Sequence, residues 1–414
     1  MTIRPGTSDL VVVGGGVVGL SVAWRAAAEG ADVVLCDPAP GRGASRVAAG
    51  MLAPVTEARS AEAPLAELGL RSVHQWPGFA RALVDDAGLG GTDDLGFRQE
   101  GTLQVAFDED DRRGLAELAG VHRSLGLDSE PLGASDCRRL APTLNPRVCA
   151  GLLVRGDWQV DPRRVVHALV AALARRGGRL RTAGVRRVLL RAGGGGGEDA
   201  VGGVELDDGS TISTSAVVLA TGTGGPAVDL PLDVPLPVRP VKGEILRLCP
   251  GPVPPPLPLT VRASVHGFPV YLVPRHDGEV VVGATVREAG VDTSVRAGAV
   301  LELLRAAVDL VPVLGELELA EAAAGLRPTT PDNAPLLGPT AVCGLHAALG
   351  HFRHGVLLAP VTAEIVVGAV RSGRLAPWAE PFRAGRFGPD DPTGAGGRSG
   401  VVGSGAGAAH EGVQ

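Results

Sequence analysis

The chain has 414 residues, more than one hydrophobic core usually organises, so two domains, or one domain carrying a large insertion, are expected. The formal net charge is −6 with both signs interspersed, which excludes a basic stripe for nucleic acid and a polybasic membrane anchor and leaves a small molecule as the expected partner. Apolar residues make up 45% but are mostly Ala, Val and Leu, with one Tyr, two Met and seven Phe, so the core must pack through aliphatic side chains.

In chain order, 10–13 reads as a continuous apolar strand, 17–29 as a helix closed by Gly30, and 31–36 as a second apolar strand. Parallel strands need such a crossover, so the first forty residues form a βαβ unit. A Gly/Ala/Ser-rich loop follows at 41–54; 62–86 and 108–125 carry mostly helical spacing, and 101–107 reads as a strand. Helical periodicity returns at 165–176 after the turn dipeptide Asp161-Pro162. Short strands are expected at 184–191, 201–206 and 210–212, the last two joined by the hairpin signal Asp207-Asp208-Gly209. The glycine run 193–197 lacks a strand-to-helix context and reads as an inert loop tip rather than a phosphate loop.

A further buried strand, 216–220, ends in Ala220-Thr221-Gly222. Prolines are frequent over 231–258, yet 238–248 reads as a strand, and 268–274 with 279–286 form a hairpin around His276-Asp277-Gly278. Antiparallel strands here, against parallel ones at the start, imply a second domain. From about Gly385 the chain is Gly/Ser/Asp-rich without periodicity, and a disordered tail over 385–414 is expected.

The five cysteines, Cys36, Cys137, Cys149, Cys249 and Cys343, are odd in number and lack C-x-x-C spacing. Neither a disulfide framework nor a zinc site is signalled, and buried free thiols with no metal are expected. Residues 1–10 run straight into a strand without a charged and apolar leader, and no apolar run reaches membrane-spanning length, so a cytoplasmic protein is expected.

Gly14, Gly16 and Gly19 fit G-x-G-x-x-G in the context the motif requires, after a strand and opening a helix. The first glycine allows the tight turn, the second lets backbone approach a pyrophosphate, and the third lets helix and strand pack closely. Helix N-terminal amides then face the anion. Asp37, ending the second strand, is placed to accept hydrogen bonds from a ribose and repels a 2′-phosphate, which disfavours NADP. The fingerprint alone does not separate FAD from NAD. Three features tip it to FAD: the late strand ending in Ala-Thr-Gly, the small residues of 45–51 after the ribose-binding strand, and the glycines of 350–360 before a helix-like run.

These residues resemble the D-amino-acid oxidase superfamily, the glycine oxidase branch of thiamine biosynthesis in particular. The resemblance runs from Leu10 to about Val370 through GGGVVGLSVAW, AAGMLAP at 48–54, PVKGE at 240–244, YLVPR at 271–275, VVGAT at 281–285, GLRPTTPD at 325–332 and GHFRHGVLLAP at 350–360. It implies an α/β protein: a discontinuous Rossmann-type FAD-binding domain (1–85, 150–228 and 325–382) and a substrate domain on a mostly antiparallel sheet (86–149 and 229–324). It implies FAD contacts from Gly14, Gly16, Val17, Val18, Gly19, Asp37, Ser45, Ala49, Gly50, Met51, Val185 at the adenine end, Gly222, and His351, Phe352, Arg353, His354, Gly355, Val356 and Leu357 along the flavin ring. Arg327 matches the arginine that clamps the substrate carboxylate, and Tyr271 and Arg353 match two further catalytic-pocket positions.

The residues support these roles more softly. A carboxylate wants a planar, bidentate donor that stays charged, which is Arg rather than Lys. A structural salt bridge is the alternative for Arg327, cross-strand packing for Tyr271, and a solvated loop charge for Arg353. Departures from the family pattern are the GTGG turn after Thr221 where an aromatic is usual, His354 where Asn is usual, and Gly325 where some relatives carry a flavin-linking cysteine, which makes the FAD noncovalent. The resemblance implies flavin-dependent oxidation of a small amino acid, glycine first, with dioxygen as electron acceptor and the imine released to hydrolysis or handed to a thiazole synthase. It leaves open sarcosine or D-amino acids as substrate, another electron acceptor, a homo-oligomer, and a flavin-binding protein without turnover.

Overall fold

The computed structural model describes residues 7–191, 200–230, 235–250 and 257–388. The strand Leu10–Val13 is buried along its length, lies parallel to Val33–Cys36, and is joined to it by the helix Val17–Ala28. Successive side chains of a strand face opposite sides. Accordingly Leu10 and Val12 enter a core with the helices, whereas Val11 and Val13 enter a second core on the other face. Gly14 adopts φ +109°, and a Cβ there would lie 2.4 Å from the Ala220 carbonyl oxygen, so only glycine lets the turn pass this close to the late strand.

Six strands form the central sheet, in the order Leu336–Pro339, Leu345–Leu349, Val217–Leu219, Leu10–Val13, Val33–Cys36 and Arg179–Arg181, parallel except at the Leu336–Pro339 edge. Helices Val17–Ala28, Ala63–Ala87, Pro162–Arg175 and Ala359–Ser372 share one core against its first face. A four-stranded sheet, Thr7–Ser8, Thr211–Thr214, Ala200–Leu206 and Val185–Arg191, covers the other. The helix expected from 165 begins at Pro162, because Asp161 caps it by accepting from the amide of Arg163 at 2.8 Å and proline suits the first turn.

The second large sheet has eight strands in the order Glu318–Thr329, Arg239–Cys249, Val280–Gly283, Phe268–Pro274, Thr260–Val265, Thr102–Ala106, Ala150–Val154 and Glu130–Gly133. Every neighbouring pair is antiparallel except Thr260–Val265 with Thr102–Ala106. One face packs on the helix Ala297–Leu310. The α/β class with a parallel sheet beside a mostly antiparallel one is as expected. Strand Ala150–Val154 belongs to the eight-stranded sheet although expected in the FAD-binding domain, and Glu318–Thr329 of the same sheet runs across the boundary expected at 325. Glu318–Thr329 is alanine-rich, a composition that favours helix, yet it is a strand because Arg239–Cys249 pairs with it along its length.

Two expectations are corrected. The tail does not begin at 385: Arg386 is buried and donates to both carboxylate oxygens of Asp332 at 2.8 Å, to the Pro335 carbonyl at 2.8 Å and to the Ala334 carbonyl at 2.7 Å, so that 385–388 staples the turn after the Glu318–Thr329 strand. The rest of the expected tail, 389–414, and the glycine run 193–197 lie outside the described residues. Of the cysteines only Cys36 and Cys137 are buried; Cys249 is half-buried and Cys149 and Cys343 are exposed, since the last two sit where the chain enters strands rather than inside them. No helix among the described residues is long and apolar enough to cross a membrane.

Replacing Arg386 by Ala removes a buried cation together with its hydrogen bonds to Asp332, Ala334 and Pro335, and the expected loss is about 2 kcal/mol. A urea midpoint unchanged by Arg386→Ala would refute this account of the C-terminal staple.

Candidate active site

A cavity of about 650 Å³ lies between the two large sheets, within the size range of small-molecule sites. One end is a nucleotide-binding cradle. Gly14, Gly16, Val17 and Val18 line it from the glycine turn, Asp37 from the end of Val33–Cys36, Ser45, Ala49, Gly50 and Met51 from the following loop, and Gly222 from the late turn. The helix Val17–Ala28 has neither a side-chain cap nor an acidic residue in its first turn. Its amides therefore face the cavity unopposed by negative charge. Ser45 Oγ accepts from the Val17 amide at 3.0 Å, and the Asp37 carboxylate accepts from the amides of Gly15 and Ala39, each at 2.6 Å. Each Asp37 oxygen keeps a second lone pair for a ligand hydroxyl.

Thr221 Oγ1 is buried in this wall without a hydrogen-bond partner. An orphaned hydroxyl beside bare helix amides is the chemistry a dinucleotide would satisfy, and the residues present fit FAD. Segment 49–51 is tied down from the opposite sheet: buried Arg275 donates to the Ala49 carbonyl at 2.6 Å and the Val160 carbonyl at 2.8 Å. Burial lowers the Arg275 guanidinium to about 10, still cationic at neutral pH.

His351, Phe352, Arg353, His354, Gly355 and Val356 line the middle of the cavity. Their loop is held against the Glu318–Thr329 strand by the Phe352 amide, which donates to the Pro328 carbonyl at 2.7 Å. The loop's far end is fixed by the Leu357 carbonyl, which accepts from Ser72 Oγ at 2.6 Å and Trp76 Nε1 at 2.9 Å. Three expected contacts do not line the cavity. Leu357 turns into the helical core, Val185 sits in the core of the four-stranded sheet, and Gly19 packs against Gly14 and Ala220.

The other end carries the charge. Arg327 is half-buried on the Glu318–Thr329 strand and donates to the carbonyls of Thr285 at 3.1 Å and Lys242 at 3.4 Å. Among the described residues it has no carboxylate partner, so the salt-bridge alternative does not hold. A Cβ on Gly243 would lie 2.3 Å from its guanidinium, and glycine at that position is what leaves it room. Tyr271, directly across from Gly283 on one neighbour and Arg262 on the other, is half-buried beside Arg327. Burial raises the phenol above its ordinary value although Arg327 and Arg262 pull it down, so it stays protonated.

Sequence reasoning missed Arg262, Glu57, Gln104 and Thr221. Glu57 bridges two guanidiniums, accepting from Arg262 Nη1 at 2.6 Å and Arg353 Nη1 at 3.1 Å. Burial pushes its carboxyl up, but the two arginines outweigh this and hold it below the usual carboxylate range. Arg353 is thus paired rather than simply solvated. The one legible signal was Arg262 itself, a charge alternating with Ser264 on an otherwise apolar strand; nothing in Thr56-Glu57-Ala58-Arg59 marks Glu57.

Burial lowers His346 to about 4 and His351 to about 3 from the ordinary 6.5, and His351 Nε2 shares a hydrogen bond with Thr362 Oγ1 at 2.9 Å. Because the folded values lie below the unfolded one, the unfolded chain binds more protons under pH 6.5, so the stability present above that pH is lost as pH falls towards 4. The slope is at most about 1.4 kcal/mol per pH unit for each group. Urea midpoints between pH 7.5 and 4.5 should fall less steeply for His351→Gln than for the parent; identical slopes would discard His351 as a contributor.

The chain resembles known proteins over most of its length. It is 32% identical over 384 residues to the bifunctional protein ThiO/ThiG of Trichormus variabilis, covering 92% of this chain but 55% of that one, so it spans about half of that relative. It is 32% identical over 363 residues to the putative thiamine biosynthesis oxidoreductase ThiO of Rhizobium etli, covering 86% of this chain and 94% of that one. The crystal structure of glycine oxidase from Geobacillus kaustophilus superposes with a TM-score of 0.80 at 30% identity, covering 92% of this chain and 98% of that one. The model of the FAD dependent oxidoreductase (DAO) family matches residues 9–369. With that match spanning a glycine turn, a flavin-sized cavity and an unpaired guanidinium, the chain belongs to the FAD-dependent oxidoreductase family of D-amino-acid oxidase type.

Proposed function

We propose that this enzyme oxidises glycine: glycine, water and dioxygen give glyoxylate, ammonia and hydrogen peroxide. The observation that carries the reading is Arg327, a cavity-wall guanidinium held by two carbonyls and by Tyr271 and, among the described residues, without a carboxylate partner. Likeness to the glycine oxidase of Geobacillus kaustophilus supports the choice of substrate. Bound noncovalently, FAD supplies the two-electron acceptor and its reoxidation by dioxygen. Gly14, Gly16, Val17, Val18, Asp37, Ser45, Ala49, Gly50 and Met51 hold its nucleotide, and the loop from His351 to Val356 flanks its ring.

Arg327 binds the substrate carboxylate as a planar, permanently charged fork, and the Thr285 and Lys242 carbonyls fix the fork's direction. Tyr271, kept protonated, donates its hydroxyl proton to the same carboxylate. Buried His351 stays neutral and adds no charge beside the amine. The amine reacts in its neutral form, and two electrons and a proton leave the α-carbon as the protonated imine forms, without a side-chain base. The division of labour follows the two large sheets: the six-stranded one serves the nucleotide and the eight-stranded one the substrate. We place the enzyme in the cytoplasm, handing its imine to thiazole formation, a reading supported by the thiamine-biosynthesis relative of Rhizobium etli and by the fused ThiO/ThiG relative.

The purified protein should be yellow, and anaerobic glycine should bleach it; peroxide assays with glycine, sarcosine, D-alanine and D-proline rank the substrates. Arg327→Ala should raise KM for glycine on the order of a hundredfold while retaining FAD. A variant with unaltered glycine affinity would remove Arg327 from the clamp.

A further inference from the structure

A vestibule of about 450 Å³ adjoins the cavity and shares with it Glu57, Arg59, Gln104, Arg262, Ser264 and Arg353. Two of its guanidiniums come from the Thr260–Val265 strand and from the 350–356 loop, and one carboxylate takes both. That carboxylate is held rigidly. The residues before it are pinned by fully buried Asp157, which accepts from the amides of Val55 and Thr56 at 3.0 Å and from Thr56 Oγ1 at 2.6 Å. The Glu57 side chain is only 10% exposed, and Arg262 additionally donates to Thr56 Oγ1 at 3.4 Å. The Gln104 side-chain carbonyl oxygen is buried without a partner.

We infer that Glu57 determines specificity by occupying Arg262 and Arg353, so that a second acid group on the substrate finds these two guanidiniums taken and is turned away at the vestibule, whose remaining guanidinium, that of Arg59, is solvent-exposed. The inference rests on the amino-acid oxidase reading above and deepens it to a substrate class: monocarboxylic amino acids, against N-carboxymethyl or longer diacids. The physical reason is competition. A tethered carboxylate meets its arginines at a millimolar or higher effective concentration, roughly the level a free diacid would have to exceed. The displaced Glu57 would also be left as a partly buried, unpaired anion.

The cluster's charge can be moved both ways. Two guanidiniums and one carboxylate leave one net positive charge; Glu57→Gln leaves two, and Arg353→Gln leaves none. The measurement is the perturbation of the flavin absorption spectrum of each holoenzyme on titration with acetate and with succinate and glutarate, which bind without reacting. Relative to acetate, the better-binding diacid should tighten at least tenfold in Glu57→Gln and weaken at least threefold in Arg353→Gln. A merely structural role for Glu57 would weaken all three acids together. A diacid-to-acetate ratio within twofold of the parent in Glu57→Gln overturns the inference. Should that variant lose its flavin, an unchanged ratio in Arg353→Gln overturns it alone. In turnover, Glu57→Gln should gain at least tenfold in relative kcat/KM on N-carboxymethylglycine, which with dioxygen and water yields glyoxylate, glycine and hydrogen peroxide. Because the titrations need no reaction, they test the charge gate even where glycine fails to bleach the parent flavin, a failure that would count against the proposed function alone.

Discussion

A guanidinium held in a cavity wall without a carboxylate among the described residues is the constraint around which this molecule is arranged. Arg327 keeps its charge because the Thr285 and Lys242 carbonyls partly solvate it and because the cavity admits water or ligand to the remaining donors. Each neighbour follows from that placement. Gly243 has no side chain because the guanidinium fills the space; Glu318–Thr329 must be a strand, in register with Arg239–Cys249, for Arg327 to stand across from Val241 beside it. The loop from His351 onward is hung on the same strand, so the elements that would face the flavin and those that would face the carboxylate move as one unit.

The two halves of the cavity are coupled by a few charge-assisted hydrogen bonds rather than by apolar packing alone. Arg275 reaches from the eight-stranded sheet to the carbonyl of Ala49, and Glu57 joins the Thr260–Val265 strand to the 350–356 loop. Buried arginines are costly unless satisfied, and Arg275 places both of its terminal nitrogens on carbonyls from the opposite side. With one lysine in the chain, Lys242, fully buried against Asp292 and Glu244, arginine carries nearly all of the positive charge, and its planar donor fork suits these bridging positions.

How far the fold was legible depended on how local each signal is. The βαβ unit could be read because its strand, glycine turn and helix lie within forty residues and each obeys a backbone rule. The hairpin of Phe268–Pro274 with Val280–Gly283 was legible for the same reason, its turn residues being contiguous. The alanine-rich Glu318–Thr329 strand and the helix Ala297–Leu310 carried no such mark, since long-range pairing and packing decide them. The tail was placed too early because composition hides that Arg386 finds four acceptors on the 332–335 turn.

By itself the sequence determined the nucleotide-binding turn, the carboxylate after the second strand, and the identity of Arg327 and Tyr271 as pocket residues, because motif order carries those positions. Tertiary structure alone decided which charges remain free. Glu57 lies 205 residues from Arg262 and 296 from Arg353, and no local pattern says that it consumes both while leaving Arg327 open. Pairing between charges is set by where the sheets bring distant side chains, and the chemistry of this cavity is the remainder after that pairing.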